Sequence, residues 1–102
     1  MERVAFIMQL KEGCVEEYKR RHDAIWPELS RLIKSGGISD YSIFLEPKTL
    51  QLFAVQKKEE SPLDLAKDPI MRKWWDYMAD LMEVNPDNSP VCINLTEVFH
   101  LE

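Results

Sequence analysis

The chain has 102 residues, 45% of them hydrophobic and 30% charged, with a formal net charge of −5. That length makes one domain, residues 1–102, able to bury roughly two-thirds of its unfolded surface but without room for a separate cofactor domain. The acidic balance argues against a phosphate-binding surface, and no apolar stretch approaches the ~20 residues that span a bilayer, so neither nucleic acid nor a membrane is an expected partner.

Charged Glu2 and Arg3 stand directly before the short run Val4-Ala5-Phe6-Ile7-Met8, with no long apolar core or small-residue cleavage site after it. Secretion is therefore not expected, and a cytoplasmic protein is. Val4, Phe6, Met8 and Leu10 alternate with Arg3, Ala5, Ile7 and Gln9, which predicts a first strand with one strongly apolar face. Gly13 marks the turn. Residues 14–35 carry a helical pattern, with Val15, Tyr18, Ile25, Leu29, Leu32 and Ile33 as the inward stripe and Gly36-Gly37 as the stop. Pro27 lacks an amide donor and crowds the preceding turn, so this helix either kinks near Asp23 or restarts with Pro27 at its first position. A break just after His22 would leave that side chain open to a ligand.

Residues 38–45 and 51–57 read as two strands joined as a hairpin through Glu46-Pro47-Lys48-Thr49-Leu50. Strict alternation in the first puts Ile38, Asp40, Ser42 and Phe44 opposite Ser39, Tyr41, Ile43 and Leu45. Ser61-Pro62 opens a loop, and Asp68-Pro69 resembles an N-cap and first residue of a second helix over 70–82. Met71, Trp74, Trp75, Met78, Leu81 and Met82 supply its apolar stripe. After Asn85-Pro86-Asp87-Asn88-Ser89-Pro90, residues 91–101 read as the last strand. The order β-α-β-β-α-β describes a ferredoxin-like α+β domain, with helices on one face of an antiparallel sheet. The other face needs cover, and a second copy of the chain is the expected cover, giving a homodimer in which two sheets meet as a dimeric α+β barrel.

Cys14 and Cys92 are isolated and read as reduced, packed thiols, and no metal site is expected from them. The short basic run Lys19-Arg20-Arg21 fans around a helix and reads as a solvated face.

The residues that suggest chemistry are Tyr18 and His22, four apart and therefore on one helix face. A phenol can donate and accept hydrogen bonds, and an imidazole can move a proton near neutral pH, so the pair could hold and protonate a small polar substrate. Each also has a plain reading: His22 as a polar residue beside the helix break, Tyr18 as part of the core stripe. Trp74 and Trp75 point roughly 100° apart on a helix, so both cannot face one core direction. One of them is expected at a cleft or interface, where an indole suits the C–H side of a sugar ring or a partner surface. Asn85, Asp87 and Asn88 could bond sugar hydroxyls, although Asn-Pro and Asn-Ser-Pro are equally plain turn chemistry. Asp40 and Tyr41 carry little weight alone.

Together these segments resemble the L-rhamnose mutarotase family. The resemblance rests on Tyr18-Lys19-Arg20-Arg21-His22, Ile25-Trp26-Pro27-Glu28-Leu29, Tyr41-Ser42-Ile43-Phe44-Leu45, Trp74-Trp75 with Met78, and Asn85-Pro86-Asp87-Asn88-Ser89-Pro90, and it continues to Glu97-Val98-Phe99. Residues 58–68 carry none of the family's motif. The resemblance implies a cytoplasmic, cofactor-free dimer that interconverts the α and β anomers of L-rhamnose in rhamnose catabolism. His22 would be the proton donor, and Tyr18, Tyr41, Trp74 and Trp75 would contact the sugar. Opening a pyranose needs a proton on the ring oxygen while another leaves the anomeric hydroxyl, and an imidazole suits that exchange. The acceptor of the second proton stays open among Tyr18, Asp87, Glu28 and water. A cofactor-independent monooxygenase on the same fold, or a non-catalytic ligand-binding dimer, would use similar aromatic residues. The first would consume oxygen, and the second would not need His22.

Overall fold

The computed structural model describes residues 2–59 and 64–102. Strand β1 (Glu2–Gln9) leads into helices α1 (Val15–Asp23) and α2 (Pro27–Ser35), then the hairpin of β2 (Ile38–Glu46) and β3 (Gln51–Lys58), then α3 (Pro69–Met78) and a short β4 (Ile93–Leu95). The strands form one antiparallel sheet in the order β2-β3-β1-β4. This is the α+β arrangement that the element order predicts, with β1 and β3 side by side at the centre.

Of the two outcomes open to residues 14–35, the chain takes the restart. Helix α1 stops at Asp23, and α2 begins with Pro27 at its start after Trp26 in an extended conformation (φ −60°, ψ 128°). The proline ring denies helical ψ to the residue before it, and its missing amide costs nothing in a first turn. Asp68 caps α3 as expected, its carboxylate accepting the Ile70 N–H at 2.9 Å, with Pro69 next.

Three expectations about the elements need correction. Helix α3 ends at Met78, four residues short of Met82, and tightens into a 3-10 turn over Ala79–Leu81. The end of β1 draws the chain away: Lys11 N–H donates to the Leu81 carbonyl at 2.8 Å and Glu83 N–H to the Gln9 carbonyl at 2.9 Å. The last strand covers Ile93–Leu95 rather than 91–101: its ladder with β1 runs from Ile7↔Ile93 to Ala5↔Leu95 and then gives way to a side-chain contact between Arg3 and His100. Val98, Phe99 and Leu101 are exposed there. Strict alternation also fails in β2, where Ser42 pairs with Val55 but Ser39 with Lys57, leaving Asp40 and Tyr41 opposite Gln56 alone. This bulge, with Asp40 at φ +46°, moves Ile38 onto the face that carries Tyr41, Ile43 and Leu45. The loop expected at Ser61-Pro62 lies outside the described residues.

Met8, Leu10, Leu52 and Ala54 on the covered face of the sheet pack with Tyr18, Leu29, Trp74, Met78, Leu81 and Met82 into one core. The opposite face carries two rows across the strands, Ile93-Ile7-Phe53-Phe44 and Leu95-Ala5-Val55-Ser42. Phe44 is 63% exposed and Ile93 59%. Both thiols are free; Cys14 is half-buried against the core, but Cys92 is exposed rather than packed, standing just before the short edge strand β4.

Candidate active site

Between the covered sheet face and the three helices lies a cavity of about 660 Å³, within the usual range for a small-molecule site. Its floor is apolar, from Met8, Leu10, Leu52 and Met78, and its walls carry Tyr18 and His22 of α1, Tyr41 of β2, Trp74 and Trp75 of α3, and Asn88 of the loop before β4.

His22 sits in the last turn of α1. Its Nδ1 lies 3.0 Å from the Tyr18 carbonyl oxygen, one turn back. A carbonyl can only accept, so Nδ1 carries the hydrogen and Nε2 is left to exchange protons. The imidazole stacks obliquely on the Tyr18 ring, with centroids 4.3 Å apart, and meets the Trp74 indole nearly edge-on at 5.4 Å. Burial lowers its pKa, opposed by the Tyr18 carbonyl and by the negative charge of Asp23. The neutral ring is thus favoured more than in water, while the carbonyl keeps the protonated form within reach.

Burial, reinforced by the neighbouring Tyr41, raises the Tyr18 pKa well above the tyrosine range. Its side chain lines the cavity, where a neutral phenol can both donate to and accept from a ligand. Tyr41 is 39% exposed as a whole residue, yet its hydroxyl end lies among protein atoms. That burial, with Cys92 nearby, pushes its pKa up to about 12. The β2 bulge turns this side chain toward the cavity.

Both tryptophans line the cavity, in different ways. Trp74 is buried in an aromatic cluster, edge-on to Trp26 at 5.1 Å and tilted against Tyr77 at 5.7 Å. Trp75 is half-buried with the Arg72 guanidinium 5.6 Å from its ring. Of the three polar loop residues, only Asn88 lines the cavity, and its amide also donates to Asp76 at 3.1 Å. Asn85 donates to Ser89 Oγ at 3.0 Å and to the Pro90 carbonyl, while Asp87 accepts from Ser89 and Arg72. Those two side chains hold the loop together. Glu28 is exposed on α2, away from the cavity.

Spacing alone singled out neither Trp26 nor Tyr77. Tyr77 stands three residues after Trp74, a helical spacing that places both on one face and could have revealed it. Trp26 lies beyond the helix break, where no periodicity applies; its ring stacks on Tyr77 at 5.5 Å. Asp23 and Asp40 add carboxylates at the rim, ion-paired with Lys19 at 2.9 Å and Lys57 at 3.1 Å.

An α+β domain with one imidazole set among phenol and indole rings over a cavity of this size defines a small-molecule site able to exchange protons. The chain belongs to the L-rhamnose mutarotase family, whose defining sequence pattern matches residues 3–101. It is 58% identical to a protein named L-rhamnose mutarotase from Phocaeicola vulgatus and 57% identical to one from Bacteroides thetaiotaomicron, each covered over 100% of both chains. The crystal structure of L-rhamnose mutarotase from Formosa agariphila matches with a TM-score of 0.95 and 55% identity, covering 100% of both chains.

Proposed function

We propose that this protein is an isomerase that interconverts the α and β anomers of L-rhamnose and serves rhamnose catabolism. The observation that carries this reading is the His22 ring, hydrogen-bonded through Nδ1 to the Tyr18 carbonyl and clasped between the Tyr18 and Trp74 rings at the cavity wall. Full-length similarity to proteins named L-rhamnose mutarotase supplies the sugar.

Protonated His22 donates from Nε2 to the ring oxygen as the C1–O5 bond breaks and the anomeric hydroxyl gives up its proton. The open-chain aldehyde turns about C1–C2, and reclosure on the other carbonyl face returns the proton to His22. Tyr18, kept neutral by burial, orients a sugar oxygen rather than acting as the base. Glu28 and Asp87 do not line the cavity, and Asp23 and Asp40 sit exposed at its rim. We therefore assign the second proton to water at the cavity mouth. Tyr41, Trp74 and Trp75 contact the sugar, the indoles facing its C–H side or methyl group, and no cofactor takes part.

The apolar rows on the open sheet face support a homodimer of ferredoxin-like domains meeting face to face as an α+β barrel. We place the protein in the cytoplasm, where the free thiols of Cys14 and Cys92 stay reduced. No helix among the described residues is long and apolar enough to cross a membrane.

Anomer exchange of L-rhamnose, followed by NMR saturation transfer with catalytic amounts of protein, tests the activity. Accelerated exchange upholds it; folded protein that leaves exchange at the rate in water overturns it.

A further inference from the structure

Arg21 precedes His22 by one position on α1, about 100° around the helix, and enters the seam between α1 and the end of α3. Its side chain is only 11% exposed, which an arginine tolerates when its donors are engaged. Nε donates to Glu17 at 2.7 Å, Nη1 to the Tyr77 carbonyl at 2.6 Å and to Asp80 Oδ1 at 3.0 Å, and Nη2 approaches Asp80 Oδ2 at 3.4 Å. The guanidinium also lies 4.4 Å from the centroid of the Tyr77 ring.

The Tyr77 carbonyl belongs to the last turn of α3, where helical acceptors run out of amide partners. One turn back stands Trp74, whose indole touches both Tyr77 and His22. The contacts close a circuit: Arg21 to Tyr77, Tyr77 to Trp74, Trp74 to His22, and His22 to Arg21 through the backbone. A shift of α3 against α1 would therefore move the indole that forms one wall around the imidazole.

We infer that Arg21 is a positioning residue for the proton transfer. Its fork locks the end of α3 to α1 and so sets where the His22 ring sits between Tyr18 and Trp74. This rests on the reading of His22 as the proton donor. Arg21 acts through Tyr77 and Trp74 and touches no substrate.

The chain has two histidines, so His22→Ala identifies the His22 Cε1–H resonance by its disappearance. The ring currents of Tyr18 and Trp74 make that resonance a gauge of the imidazole's position, whatever the sugar. Arg21→Lys keeps the charge but not the planar fork, and Asp80→Asn weakens the same tie from its exposed side should the first variant fail to fold. We expect the His22 resonance to move in both folded variants. In Arg21→Lys, kcat for anomer exchange should fall about tenfold to a hundredfold, with KM changed less, as for a catalytic group displaced by a fraction of an ångström. Lys67→Met removes an exposed ion pair with Asp64, outside the α1–α3 seam, and should leave resonance and rate unchanged. An unmoved resonance in the folded variants, a moved one with wild-type kcat, or an equal change in Lys67→Met overturns the inference. Should wild-type protein fail to accelerate exchange, the sugar reading falls by itself. The resonance then decides the matter: movement upholds Arg21's hold on the imidazole, and no movement removes it.

Discussion

Two faces of one sheet, built from alternate residues of the same strands, have different fates. On one, Met8, Leu10, Leu52 and Ala54 are buried beneath helices, and the first three line the cavity. On the other, Phe44, Phe53, Ile7 and Ile93 form an equally apolar row that no helix among the described residues covers. Apolar character alone therefore does not tell a site-bearing face from an open one. The difference lies in what the connections bring: both crossovers place helices on one side, and with them the imidazole and indoles. Leu52 and Phe53 are neighbours in sequence and belong to different problems.

The largest effect expected from this division is on chemistry. His22→Ala should reduce the acceleration of anomer exchange by about 10²–10⁴-fold while leaving association, measured by light scattering, unchanged; retained exchange would separate the covered face from catalysis altogether. Next comes stability. Leu52, 2% exposed, should cost about 2–5 kcal/mol when cut to alanine, measured by denaturant unfolding. Phe44→Asp on the opposite face should instead act on association, raising the dimer dissociation constant about thirtyfold if the ring is an interface anchor worth about 2 kcal/mol. A Phe44→Asp protein with wild-type association, or a wild-type chain that is monomeric at low concentration, would break the account of the open face.

The smaller effects concern pH and the loop. Burial lowers the folded-state pKa of His22 below its unfolded value, so on acidification the unfolded chain takes up that proton first. Stability should then fall as pH drops through the ordinary histidine range toward the lowered value, and His22→Gln should lose that part of the slope. The acceleration of exchange should decline on the alkaline side with a midpoint below the ordinary histidine pKa. Removal of the Asn85 side chain, a loop staple, should cost about 1 kcal/mol and change exchange little. A large loss of exchange in Asn85→Ala would give this residue a direct role at the sugar.

Much of this was legible in the sequence because it is local. Alternation found β1, β2 and β3, the proline found the break between α1 and α2, and Asp68-Pro69 found the start of α3. The spacing of Tyr18 and His22 foretold a stacked pair, and the structure has one. What escaped depends on contacts between distant segments. Helix α3 stops early because the end of β1 takes the Leu81 carbonyl. Residues 96–101 leave the β1 ladder after Leu95, and the contact they keep with that strand is between side chains, Arg3 and His100. Trp26 and Tyr77 join the aromatic cluster across a helix break and across two helices. For Asn85 and Asp87 the turn chemistry was visible, but only coordinates show that the side chains turn inward on their own loop.

The bulge at Asp40 and Tyr41 sets the phase of β2. In a strand, each residue gained or lost reverses the side on which everything beyond it lands. With the extra residue in place, Ile38 and Tyr41 share the cavity side while Phe44 keeps the outer one. Deleting a single residue here would force a choice of frame: the outer row keeps its phenylalanine and the cavity loses part of its lining, or the reverse. Length changes in this stretch should be tolerated in twos rather than ones, so that one backbone irregularity serves as a parity check joining the cavity to the opposite face.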